Sequence, residues 1–476
     1  MKLKTHTLML AVLLPSIALG QRQLTREQAL EDYHILKNVL TKGHPALYDY
    51  TSQSEWNSLF DNFENEQLAT IRNNNDLYRS LTKLTDHVRD GHLIVMRPLL
   101  DSVPKLFPLL VKIIDKRLYT DTDDFGIPVG SEILSIDGIS GSKIRQNLME
   151  YAPSDGFNTS KKDRQVEREF GILHFYEFGV KTAYDITYKT PHNQTHTKRV
   201  ESEPFEHIGQ RFAKRNSYLP MKALGIKKPS VHFIDSLNTA VLTVNTFYLN
   251  AEEYQSTLKD VFKTIKRKKA KNLVIDIRQN EGGYPVNAIH TYSYVANDAF
   301  KQRNSSEVVV SVLPEKQYSQ NLVNGYTYET FFEEYYLNAE HIENRWIQSN
   351  DENEPLMTPN KKRYTGNVYV MIGGQTFSAG SSFALFCKNQ GIPLVGEETG
   401  GGYYSQTGGY PIIYTLPNSK IQVLISLVKI NRHVRDTTVK KGSGVQPDIE
   451  VNLTVEDLIN GKDSQLQHVL KLIRNN

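Results

Sequence analysis

Residues 367 to 401, NVYVMIGGQTFSAGSSFALFCKNQGIPLVGEETGG, constrain the fold more than any other stretch of the chain. Asn367 to Ile372 read as a buried strand, and Gly373–Gly374 break it. Thr376 to Gly380 turn the chain into an apolar helix ending near Gly391, and Pro393 to Val395 read as a second short strand. Ser378 is thereby set at a helix entrance, where unpaired backbone N–H groups and the helix dipole favour developing negative charge. A nucleophile and its oxyanion in acyl transfer need that environment. Taken alone, the same small residues read more readily as a cap and a close-packing device. Residues elsewhere in the chain decide between the two.

The chain has 476 residues, enough for about three domains of roughly 150 residues each. Its hydrophobic content of 39% can fill globular cores. A formal charge of +3 and the absence of a long basic block give nucleic-acid binding no electrostatic support. The short run Lys266 to Lys271 reads as a solvated helix end. At the N-terminus, Lys2 and Lys4, the apolar run Leu8 to Leu14 and small residues up to Gly20 have the anatomy of a secretory signal peptide. The expected mature chain is exported, begins near Gln21 and carries no membrane span. The lone cysteine, Cys387, excludes an intramolecular disulfide and reads as a core filler.

Three regions follow the leader. Residues 21–100 look helical: Thr25 and Gln28 fit a capping box, apolar residues recur at helical spacing, and further helices are expected near Ser54–Phe63 and Asn75–Val88. Residues 105–200 read as a β-rich module, with strands at Leu106–Ile114, Ile133–Ile136, Tyr184–Tyr188 and Thr195–Val200 and a polar, helix-compatible insertion at 155–180. From 205 to 476 strands and helices alternate, which argues for an α/β layer domain. Its expected strands are Ala240–Val244, Leu273–Ile277 and Val308–Val312, its expected helices 251–268 and 286–296, and a polar, aromatic-rich insertion covers 314–360.

Three more segments share chemical meaning with the serine block: Thr85–Leu93 (TDHVRDGHL), Leu273–Gly283 (LVIDIRQNEGG) and Gly444–Glu450 (GVQPDIE). Together the blocks carry D-G-H, I-D-x-R-x-N-x-G-G, T-x-S-A, G-E-x-T-x-G and G-V-x-P-D in order. In this the chain resembles the tail-specific (C-terminal processing) protease family, peptidase family S41, which includes interphotoreceptor-retinoid-binding-like members. The resemblance implies an α/β core of the crotonase-like or ClpP-like kind, an N-terminal helical region and a PDZ-like module. Gly130 to Gly138 resembles the G-D-x-I-x-x-I-D/N-G strand of that module, with Ser131 in place of its aspartate.

By position, Ser378 matches the family nucleophile, and Gly282 and Gly283 match the glycines beside it. The resemblance implies an oxyanion hole from the N–H groups of Gly283 and Ala379. Many members use a lysine just after G-E-x-T-x-G, where this chain has Gly402. The tricorn-like branch instead takes a histidine from the D-G-H segment, which here is His92. The carboxylate that orients it is sought in Asp436, Glu397 or Glu398, with Asp436 preferred as nearest to the last motif. Asp276, Arg278 and Asn280 read as structural ties. The implied activity is serine-type endopeptidase cleavage of extended protein or peptide substrates, with no metal or cofactor required. Two rivals share the scaffold: a peptide- or lipid-binding protein without turnover, and an enoyl-hydratase-like enzyme needing coenzyme A. Oligomeric state is not legible.

Overall fold

The computed structural model describes residues 22–100, 102–215, 227–321, 327–349 and 356–475. The signal-like segment Met1–Gly20 lies outside the described residues. Two compact units emerge, each assembled from discontinuous segments. The first draws on the described residues of Met1–Ser102, Arg303–Pro355 and Ser405–Arg432, the second on those of Val103–Gln302, Leu356–Tyr404 and His433–Asn476.

In the first unit the helix Arg26–Gly43 starts at the expected capping box, with Thr25 accepting from the Gln28 N–H and Gln28 reaching back. Helices Gln53–Asn62 and Asn74–Asp86 follow close to their expected bounds. The unit's sheet is organised around a long hairpin, Ser405–Thr415 with Gln422–Arg432. Ile94–Val95, the strand just after the D-G-H segment, pairs antiparallel with the second hairpin strand. A register shift between Thr407 and Gly409 bulges the first hairpin strand.

The expected strand Val308–Val312 forms instead at Arg303–Val308, over the polar residues RNSSEV. Pairing to Gln422–Arg432 on one side and Arg345–Gln348 on the other decides its position, overriding local hydrophobicity. The insertion 314–360 contributes the strand Ser319–Asn321, the helix Tyr328–Tyr336 and the strands Glu340–Ile342 and Arg345–Gln348.

The second unit holds two sheets. One is antiparallel, ordered Val111–Ile114, Arg117–Thr120, Glu132–Ile136, Ala183–Lys189 and Thr195–Glu201, with Ile139–Ser140 alongside Glu132–Ile136. The expected strand Leu106–Ile114 is shorter than read. Leu106 makes only an isolated bridge to Glu203, and Pro108, lacking an N–H, interrupts the ladder before Val111. The insertion at 155–180 contains the helix Ser160–Phe178.

The other sheet runs Ile449–Glu450, Leu394–Gly396, Asn367–Ile372, Asn272–Asp276, Thr239–Thr243 and Ser230–Ile234, all parallel but for the last pair. Both faces are covered, so Asn272–Asp276 is buried along its whole length. Leu273, Ile275, Val370 and Ile372 pack with Phe383 of the helix Ala379–Asn389, while Val274, Tyr369 and Met371 pack with Leu466, Val469 and Leu470 of Ser464–Asn475. The helix Ala251–Arg267 buries Tyr254, Leu258, Val261, Phe262 and Ile265 on one stripe, capped by Asn250 and closed by Lys266 and Arg267.

Candidate active site

In the second unit, the carboxyl ends of two parallel strands carry the loops around Ser378. After Asn272–Asp276 the chain makes a polar knot. Asp276 accepts from the Arg278 N–H and guanidinium, and Arg278 also donates to Asp463 and Gln465. Asn280 donates to the Val244 carbonyl and accepts from the Gly282 N–H. All three side chains are buried and spent on backbone and charge partners, the structural role expected of them.

After Asn367–Ile372, Thr376 Oγ1 donates to the Ile277 carbonyl, and the Phe377 N–H donates to the Asn280 carbonyl. These bonds bring the two loops edge to edge. Ser378 caps the helix Ala379–Asn389 with φ 51° and ψ −122°, a left-handed conformation that a serine adopts only under tertiary constraint. A Cβ added to Gly282 would lie 2.7 Å from Ser378 Cβ and 3.0 Å from the Ala379 nitrogen. Glycine is required there because the backbone itself is the neighbour of the serine.

The Gly282 N–H is held by Asn280. Among the described residues, no acceptor takes the Gly283 or the Ala379 N–H. Ser378 thus stands at a helix N-terminus against the backbone of Gly282, with the Ala379 N–H next to it in the chain, a setting that favours developing negative charge. Ser381 Oγ donates to the Ser378 carbonyl and steadies the first turn.

In the first unit, His92 sits in the turn after Asn74–Asp86. Its backbone N–H donates to Asp90 Oδ1 at 2.8 Å, and its Nδ1 is 3.8 Å from the same oxygen. Asp90 is buried and also receives His44 Nε2 at 2.8 Å and Thr407 Oγ1 at 2.7 Å. Burial pushes its carboxyl pKa up, but the hydrogen bond and charge of His44, and then His92, bring it down to about 2. The His92 ring lies against the bulge: a Cβ on Gly408, whose φ is +140°, would stand 3.0 Å from Nε2.

The model of peptidase family S41 matches residues 238–451. Over residues 238–451 the sequence is that of peptidase family S41. None of the curated proteins compared matches the sequence. Among solved structures, mature CPAF complexed with lactacystin is 16% identical, covers 95% of this chain and 99% of its own, and has a TM-score of 0.66. Another structure of mature CPAF is 17% identical, covers 95% of this chain and 98% of its own, and has a TM-score of 0.62. At such identities the likeness is one of fold. It establishes a multidomain S41 peptidase fold of helices and several sheets.

The remaining sequence-derived residues are dispersed. Gly402 is buried, and its N–H donates to Asp155. Glu398 accepts from the Gly444 N–H at 2.6 Å, and Glu397 lies 3.7 Å from Arg164. Asp436 is exposed, and one oxygen accepts both the N–H and the hydroxyl of Thr438. Cys387 is buried in the core, as expected. Ser378, Ala379 and Gly282 come together within the second unit, with Gly283 lying against Phe247 and Tyr248, whereas His92 belongs to the first. Sequence reasoning missed Asp90, His44, Thr407 and Gly408 as the surroundings of His92. The signal available was Asp90 inside the D-G-H motif itself and the apolar runs flanking Pro417–Lys420, which mark the hairpin.

Proposed function

We propose that the chain is an exported serine endopeptidase that hydrolyses peptide bonds in extended protein or peptide substrates. Ser378 Oγ attacks the carbonyl carbon while the His92 imidazole takes its proton. The carbonyl oxygen becomes an oxyanion received by the Gly283 and Ala379 N–H groups. Collapse expels the amine, which takes the proton back from His92. Water then repeats the sequence on the acyl-enzyme and releases the acid. Asp436 is a near match to the carboxylate that orients the imidazole, the family position just ahead of the last motif holding Lys440 and Lys441.

The observation that carries the reading is the strained Ser378 backbone at a helix N-terminus, packed against Gly282. The S41 match and the position of His92 in D-G-H support it. Export rests on the Lys2 to Gly20 anatomy; among the described residues no helix is long and apolar enough to cross a membrane. The core is read as crotonase-like and the antiparallel sheet as a PDZ-like module, with 21–100, 105–200 and 205–476 as the domains.

Fluorophosphonate labelling of the wild type, Ser378→Ala and His92→Ala tests the assignment. Labelling that requires both residues, with parallel loss of peptide turnover, is expected. A wild type that binds peptide stoichiometrically, never labels and never cleaves would make the chain a binding protein instead.

A further inference from the structure

We propose that Asp90 is the positioning carboxylate of His92, holding the imidazole with Nδ1 toward Asp90 so that Nε2 acts as the base. The proposal rests on the serine-peptidase reading above and replaces Asp436 within it.

The tautomer of a neighbouring histidine shows how Asp90 is wired. The Ala46 N–H donates to His44 Nδ1 at 3.1 Å, so Nδ1 is an acceptor and Nε2 carries the hydrogen donated to Asp90 Oδ2. Thr407 approaches both carboxylate oxygens, at 2.8 Å and 2.7 Å, and its single hydroxyl hydrogen serves one of them. With the shorter contact to Oδ2, that oxygen takes His44 and Thr407, and Oδ1 takes the His92 backbone N–H.

A carboxylate offers about four lone-pair sites, which leaves one on Oδ1, the atom 3.8 Å from His92 Nδ1. A small rotation of the ring brings Nδ1–H within hydrogen-bond reach, a tightening expected when an empty catalytic site closes on substrate. Three donors from three separate elements fix the carboxylate itself: the end of Arg26–Gly43, the D-G-H turn and the hairpin bulge. A buried anion so fixed is well suited to stabilising an imidazolium. Asp436 differs on both counts, being exposed and bound to its own turn.

A purely structural Asp90 would tie the same three elements together without touching the chemistry. The two roles separate in the pH dependence of Ser378 labelling and peptide turnover, measured across pH about 5 to 9 for the wild type and Asp90→Asn. With Asp90 as positioning residue, Asp90→Asn lowers turnover by about 10²- to 10⁴-fold, and the acid limb moves to lower pH by about one unit, because the anion that favoured the imidazolium is gone. In the wild type, ¹⁵N NMR of His92 shows the proton on Nδ1.

If Asp90→Asn does not fold, the wild-type tautomer decides: a proton on Nε2 overturns the proposal. A folded Asp90→Asn whose profile superimposes on the wild type also overturns it, as does a shift produced by Asp436→Asn instead. A wild type that never labels at Ser378 removes the peptidase reading and this role with it. Labelling that needs His92 but ignores Asp90 removes the role alone.

Discussion

At Ser378 and Gly408 single atoms decide what the chain can do. Gly282→Ala would force a Cβ to within 2.7 Å of Ser378 Cβ from a backbone already at φ +107°. We expect it to abolish fluorophosphonate labelling and to destabilise the fold by about 1–3 kcal/mol. Urea unfolding and labelling of the same preparation check both. Gly408→Ala places its methyl 3.0 Å from His92 Nε2, so turnover should fall even in preparations whose circular dichroism matches the wild type.

Asp90 makes a further prediction from the sign of its shift. Its folded pKa, about 2, lies below its unfolded value. It therefore stabilises the fold above the unfolded pKa of about 4, and that contribution is lost as pH falls toward 2. Asp90→Asn should be less stable than the wild type at neutral pH, with the difference narrowing as pH falls toward 2 in urea unfolding, because the amide offers one acceptor oxygen where the carboxylate takes three donors. At this scale the helix entrance that carries Ser378 was legible in the sequence, because glycines and an apolar run mark it locally. The hydrogen bonding of Asp90 was not, because its partners His44 and Thr407 lie 46 and 317 positions away.

The helix Ser160–Phe178 is the element whose burial is hardest to reconcile with its polar sequence. Lys161, in its first turn, is buried, donates to the Pro153 carbonyl at 2.8 Å, and holds Nζ 4.9 Å from the ring of Phe377, the residue before Ser378. Desolvation drives its pKa down to about 8, against the opposing pull of Glu281. Between pH about 8 and 10.5 the unfolded chain binds the proton and the folded chain does not, so this group makes stability rise with pH. Lys161→Met should flatten that slope in thermal melts recorded across the interval.

Helices with caps and apolar stripes, such as Arg26–Gly43 and Ala251–Arg267, were readable because both signals are local. The strand Arg303–Val308 was not, because its polar residues become a strand only through the two neighbours they pair with.

Over the whole molecule, the discontinuity of the units sets the stability relations. Buried Asp32, on the first helix, accepts the N–H groups of Asn418 and Ser419 at the hairpin turn, at 3.0 and 2.7 Å. Asp32→Ala leaves those donors without their acceptor and should cost about 1–3 kcal/mol, seen as a lower urea midpoint at unchanged slope. A fragment limited to residues 238–451, the span of the family match, lacks both Asp32 and the strand Ile94–Val95 that pairs with the hairpin. It should fail to give the cooperative melt of the full chain by circular dichroism.

The sequence by itself determined the strand–turn–helix that sets Ser378 and the order of the five motifs, since glycines, caps and apolar runs act on their immediate neighbours. Only the tertiary structure decided that the hairpin near the C-terminal end receives the D-G-H strand of the first hundred residues, and that Asp90, His44 and Thr407 converge. Strand register and chain return control such meetings, and neither leaves a periodic trace along the chain.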